Sequence, residues 1–111
     1  MTNKSIILSN NEKTILSVIQ NRDAIISASE ISQVTNFDNR YILDCIANMR
    51  RQGIPIISKR NTNHSGFMIA SNEDERNKCV AMLTSQCMTM MRNIDGLAKA
   101  DLNNWHKLIK E

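Results

Sequence analysis

Four cations fall between residues 50 and 66 of this chain, and no acid falls among them. They are Arg50, Arg51, Lys59 and Arg60. A local +4 with no compensating carboxylate suits the binding of phosphate. Just upstream, Asn39 and Arg40 carry the groups that pair with adenine and guanine edges through two hydrogen bonds each. Other chemistries are not served. There is no glycine-rich phosphate loop, no Ser-His or Cys-His pattern, and no acid pair flanked by a base. No catalytic residue is therefore expected, and the chain does not read as an enzyme. His64, His106, Cys45, Cys79 and Cys87 share no Cys-x-x-Cys type of spacing, so neither a metal site nor a cofactor is expected. Three cysteines without paired spacing suit a reducing compartment, hence the cytoplasm. No run approaches the roughly 18 apolar residues of a membrane span. The start, Met1 to Leu8, is too short and polar for a signal peptide.

The elements that must hold these groups can be read along the chain. Residues 1–8 read as a loose arm or a short strand. Ser9-Asn-Asn-Glu12 fits a capping box, which opens a first helix with Leu8, Ile15, Leu16 and Ile19 in one apolar stripe. Ala24-Ile-Ile26 suits a short strand. Ser27-Ala-Ser-Glu30 repeats the capping box and opens a second helix, with Ile31 and Val34 expected to face inward. Asn36 fits a turn position at positive φ, and Phe37 plugs the core. Asp38 is expected to cap a third helix running to Gln52, with Ile42, Ile46 and Met49 as its buried seam and Gly53 as its stop. A hairpin follows. Ile54, Ile56 and Ile57 are expected to face Phe67 and Ile69 across it, and Pro55 suits a sheet edge. The loop from Arg60 to Ser65 has no apolar residue.

These residues resemble a known family. Ser27, Glu30 and Ile31, a turn before a polar cap, then Ile42, Ile46, Met49, Arg50, Gly53-Ile-Pro-Ile and a closing Gly66-Phe67 are similar to the winged helix-turn-helix of biotin-repressor type. The resemblance covers about 40 % of the chain. The whole chain also looks like short phage and prophage regulators. The implied fold is α+β, mainly α: a winged helix-turn-helix with a two- to three-stranded β-wing. The resemblance places the third helix in a DNA major groove, where Asn39, Arg40, Leu43 and Asp44 would face bases, with Ala47 beyond them. Asp44 stands where the family often has Lys or Arg, and either accepts from a cytosine amino group or repels phosphate. The backbone and wing contacts would be Arg50, Arg51, Lys59, Arg60, Asn61, Asn63 and His64.

The remaining residues form a different block. Residues 1–71 hold eight Lys/Arg against five Asp/Glu, whereas residues 72–111 hold six of each, so the net +3 lies in the first block. Ser71 or Asn72 would cap a long helix, with Glu73-Asp-Glu75 in its first turn. Val80, Leu83, Cys87, Met90, Ile94 and Leu97 then recur at alternating steps of three and four, a heptad seam. Gly96 either ends this helix or is tolerated in it. Leu102, Trp105 and Ile109 would continue the apolar face on a last short helix from Asp101. Division at residue 71 gives a DNA-binding domain, 1–71, and a helical extension, 72–111. The seam either packs on the chain's own core or joins a homodimer, and the dimer is favoured. The expected partner is double-stranded DNA, in a small transcriptional regulator. The alternatives are a phage replication or origin-binding accessory and a protein-interaction module that has lost DNA binding. The last would bring a further protein partner.

Overall fold

The computed structural model describes residues 5–60 and 64–110. The order is α1 (Asn10–Gln20), α2 (Ala28–Thr35), α3 (Asn39–Arg51), β1 (Ile56–Arg60), β2 (Ser65–Ile69), α4 (Glu73–Ala98) and a 3₁₀ turn at Trp105–Leu108. The fold is mainly helical with one small antiparallel sheet. It divides into two compact units, Met1–Cys79 and Val80–Glu111. The first unit thus takes in the opening turns of α4.

Local chemistry fixes the helix starts. At α1 the Glu12 N–H donates to Ser9 Oγ (3.1 Å) and the Ser9 N–H donates to Glu12 Oε1 (2.9 Å). Ser27 and Glu30 repeat the exchange at α2, with both bonds at 3.1 Å. Each box satisfies donors that a helix start otherwise leaves free. Asp38 occupies the N-cap of α3 in extended conformation, but its side chain makes no capping bond. Its contribution is confined to the backbone, where the Asp38 carbonyl accepts from Ile42 N–H. Asn36 ends α2 at φ 66°, as the turn requires. Two bonds stitch that turn: Ser32 Oγ donates to the Phe37 carbonyl (2.6 Å), and the Phe37 N–H donates to Thr35 Oγ1 (3.2 Å).

The end of α3 is a Schellman closure. Gly53 N–H donates to the Arg50 carbonyl (3.0 Å) and Ile54 N–H to the Met49 carbonyl (3.1 Å), with Gly53 at φ +100°. That geometry favours glycine and turns the chain into β1. Ile54 therefore precedes the strand rather than lying in it. The register pairs Ile56 with Ile69, Ile57 with Met68 and Ser58 with Phe67. Successive strand residues face opposite sides. Ile56 thus shares a face with Ile69 and Phe67, whereas Ile57 shares the other with Met68. An isolated antiparallel bridge joins Ile26 to Phe67 and adds a third short segment beside the hairpin.

The core of the first unit is Ile15, Ile19, Ile26, Ile31, Ile42, Cys45, Ile46, Met49 and Ile56, with Phe37 and Phe67 packed against it. Val34 is not part of it and stands exposed. Three helical residues advance 300°, so Val34 lies 60° off Ile31, while Ala28 packs inward. Among the described residues one carboxylate is buried here. Glu12 accepts from Asn48 Nδ2 at 2.7 Å and so ties α1 to α3.

The long helix α4 is built differently. α4 is capped by Asn72, whose Oδ1 accepts from Glu75 N–H (2.9 Å), and runs through Gly96 to Ala98. Cys79 is its one buried residue among those described. Asp101 accepts the N–H groups of Asn103 and Asn104, but only the short 3₁₀ turn follows rather than a helix from Asp101. Among the described residues no helix is long and apolar enough to cross a membrane.

Candidate nucleic-acid interface

Burial of Ile42, Cys45, Ile46 and Met49 sets the rotation of α3. What remains outward is one face carrying Arg40, Leu43, Asp44, Ala47 and Arg51, all exposed. Asn39 is also exposed, with its amide 3.5 Å from Ser29 Oγ. Arg40 and Asp44 are one turn apart and form a loose ion pair, 3.7 Å, between largely exposed groups. Such a pair contributes little to stability, about 0.3–0.5 kcal/mol. Tyr41 stands at the edge of this face, half-exposed. Its hydroxyl accepts from Asn11 Nδ2 (3.1 Å) and its ring meets Phe37 edge-on.

The basic cluster is split by the structure into two kinds of residue. Arg50 is a brace. Its Nε donates to the Ile56 carbonyl (2.8 Å), its Nη2 donates to Ser58 Oγ (2.9 Å), and its guanidinium lies over the Phe67 ring at 5.8 Å. Two of its donors thus hold β1 against α3. Lys59 is 3.5 Å from Glu75 of α4. Ser71 N–H, then Lys59, hold the Glu75 carboxyl below its usual range. Arg51 and Arg60 are exposed and form no ion pair among the described residues. Asn61 and Asn63 lie outside the described residues. His64 Nε2 lies 3.1 Å from Glu30 Oε1, and Arg22 Nη2 donates to the other Glu30 oxygen at 3.0 Å. Ser27 N–H is the main reason the Glu30 carboxyl is depressed, with His64 and Arg22 adding to it. The hairpin is therefore pinned to the start of α2.

Gly66 completes this pinning. A Cβ there would sit 2.5 Å from the Ile26 carbonyl oxygen. Only glycine lets β2 come this close to the segment before α2. Its place in the closing Gly-Phe pair was visible in the sequence, but its reason was not. The Glu12–Asn48 and Arg50–Ser58 bonds carry no sequence signal either.

The three cysteines are free: Cys45 and Cys79 are buried and Cys87 is exposed. Burial pushes the Cys45 thiol up, which disfavours the thiolate. Cys79 Sγ accepts from Ser58 N–H at 3.4 Å. Among the described residues no three His, Cys, Asp or Glu side chains converge as a metal site would need. In the second unit the six seam residues from Val80 to Leu97 are all exposed.

No protein-family model, curated protein or solved structure matches this chain.

Proposed function

We propose that this chain is a sequence-specific double-stranded DNA-binding protein with a winged helix-turn-helix fold, a small transcriptional regulator that works as a homodimer. In this reading α2 and α3 are the helix-turn-helix and the hairpin is the wing. The observation that carries it is the exposed face of α3, with Arg40, Leu43, Ala47 and Arg51, in the same compact unit as the hairpin cation Arg60. Arg51 and Arg60 would meet phosphates and set affinity. Arg40 would read guanine, while Leu43 and Ala47 suit contact with thymine methyl groups. The exposed seam on α4 supports the dimer. A two-fold dimer would read an inverted repeat with half-sites about 10 base pairs, or a multiple, apart. Regulation would then come from occlusion or recruitment rather than chemistry.

A second reading draws on the same face. Arg40 is paired with Asp44, Lys59 with Glu75, and Arg50 is spent as a brace. Together with exposed Leu43 and Val34, this favours a protein-interaction module. Anisotropy titration against random duplex at low salt separates the two. DNA binding predicts a log–log salt slope on the order of −3 to −6. Arg60→Ala should weaken all sequences alike. Arg40→Ala should cost roughly 1–3 kcal/mol on the preferred site and relax one base pair. No binding at micromolar protein would transfer the assignment to the interaction module.

A further inference from the structure

We infer that α4 pairs antiparallel with α4 of a second copy, through a seam that complements itself in size. The inference rests on the homodimer reading above and adds its orientation. From Val80 to Met91 the helix carries no charged residue, and its apolar groups stand exposed. The positions flanking the seam, among them Thr84, Gln86 and Asn93, are uncharged. A copy meeting itself along this band meets no like charge. No charge code selects a different partner either. Val80, Leu83, Met90, Met91, Ile94 and Leu97 are 36 to 79 % exposed, so the band has apolar surface to contribute to the ~800 Å² per partner that a standard stable interface buries.

Orientation follows from side-chain volume. Antiparallel pairing about the midpoint of the seam sets Val80 against Leu97, Leu83 against Ile94, and Cys87 against Met90. Each layer joins a smaller side chain to a larger one or two of equal size, so the layers fill evenly. Parallel pairing in register stacks Cys87 on Cys87 and Met90 on Met90. That leaves a void one turn from a crowded layer, and both cost stability. Antiparallel helices also set the positive end of one macrodipole beside the negative end of the other. A two-fold axis across the seam makes every contact occur twice, as an isologous interface requires.

The test uses the full chain with Cys87→Ser, because Cys45 and Cys79 are buried. Val80→Cys and Leu97→Cys are made separately on that background, with circular dichroism to check the fold. A short bismaleimide then links thiols that face each other. Val80 and Leu97 are about 26 Å apart along one helix, beyond its reach. The expected result is a linked dimer in the equimolar mixture and none in either variant alone. Linkage within each variant alone, with none gained on mixing, overturns the antiparallel arrangement while leaving the dimer standing. Sedimentation of the unmodified protein as a monomer at tens of micromolar overturns both, without touching the DNA-binding assignment.

Discussion

α3 and α4 obey the same rule of spacing and end in opposite surroundings. Ile42, Ile46 and Met49 of α3 are at most 2 % exposed, whereas Val80, Leu83, Met90, Ile94 and Leu97 of α4 are 36 to 79 % exposed. Apolar residues at steps of three and four identify which side of a helix avoids water. They do not say what covers it. For α3 the cover lies in its own unit: Ile15, Ile19, Ile31 and Ile56 close around it. For α4 the same kind of stripe finds no cover among the described residues of its own unit.

The sharpest way to break that contrast is to shorten one isoleucine in each helix. Ile46→Ala should destabilise the protein by about 2–5 kcal/mol, through lost burial and the cavity left behind. Ile94→Ala should change the stability of the isolated chain by no more than about 0.5 kcal/mol. Its effect should surface instead as weaker self-association. Urea unfolding at submicromolar and at tens of micromolar protein reads both. Equal costs at the lower concentration would mean that the seam is already covered by its own chain, and the contrast would collapse.

Glycine offers a second handle on the same two regions. Gly66→Ala drives a methyl into the Ile26 carbonyl, where backbone rather than a pliable side chain must yield. A cost of about 1–3 kcal/mol is expected. Gly96 lies within α4, and a Cβ there meets nothing within 4 Å. Gly96→Ala should stabilise that helix by about 0.5–1 kcal/mol. Thermal unfolding followed by circular dichroism gives both signs. A destabilising Gly96→Ala would reveal a neighbour at that face of α4.

What was legible in the sequence was mostly what is local. Both capping boxes, the left-handed Asn36, the Gly53 stop and the α3 seam each depend on residues within a turn or two of one another. Helix rotation failed once: Val34 has the right residue type and the wrong angle. Strand phase failed at Ile54 and Ile57, because the Schellman turn delays β1 until Ile56. The contacts that define the candidate site are non-local. Glu12 and Asn48 are 36 residues apart, and Cys79 meets Ser58 across 21. Arg50 shows the consequence. Its type and place in a basic run point to phosphate, but the fold turns it inward toward the Ile56 carbonyl.

An acid response of the first unit turns on Glu12, a carboxylate buried there. Asn48 Nδ2, and next the Ser9 N–H, hold the Glu12 carboxyl below its ordinary value of 4.5. The folded state therefore prefers the carboxylate more strongly than the unfolded chain does. Its contribution is complete above about pH 4.5 and is lost as pH falls from there through the lowered folded value. Glu12→Gln keeps the side-chain shape but removes the charge that Asn48 and Ser9 favour. At pH 7 the variant should be less stable by about 1 kcal/mol, the difference between a charged and a neutral hydrogen bond. The gap should narrow as the wild type protonates below pH 4.5, since both then present a neutral group. The band from Val80 to Met91 holds no carboxylate, so this acid response belongs to the first unit rather than to the α4 seam. Urea midpoints of both proteins from pH 7 down to pH 3 test it. A gap that stays constant across that range would show that Glu12 holds α1 to α3 by shape and neutral hydrogen bonding, with its charge contributing nothing.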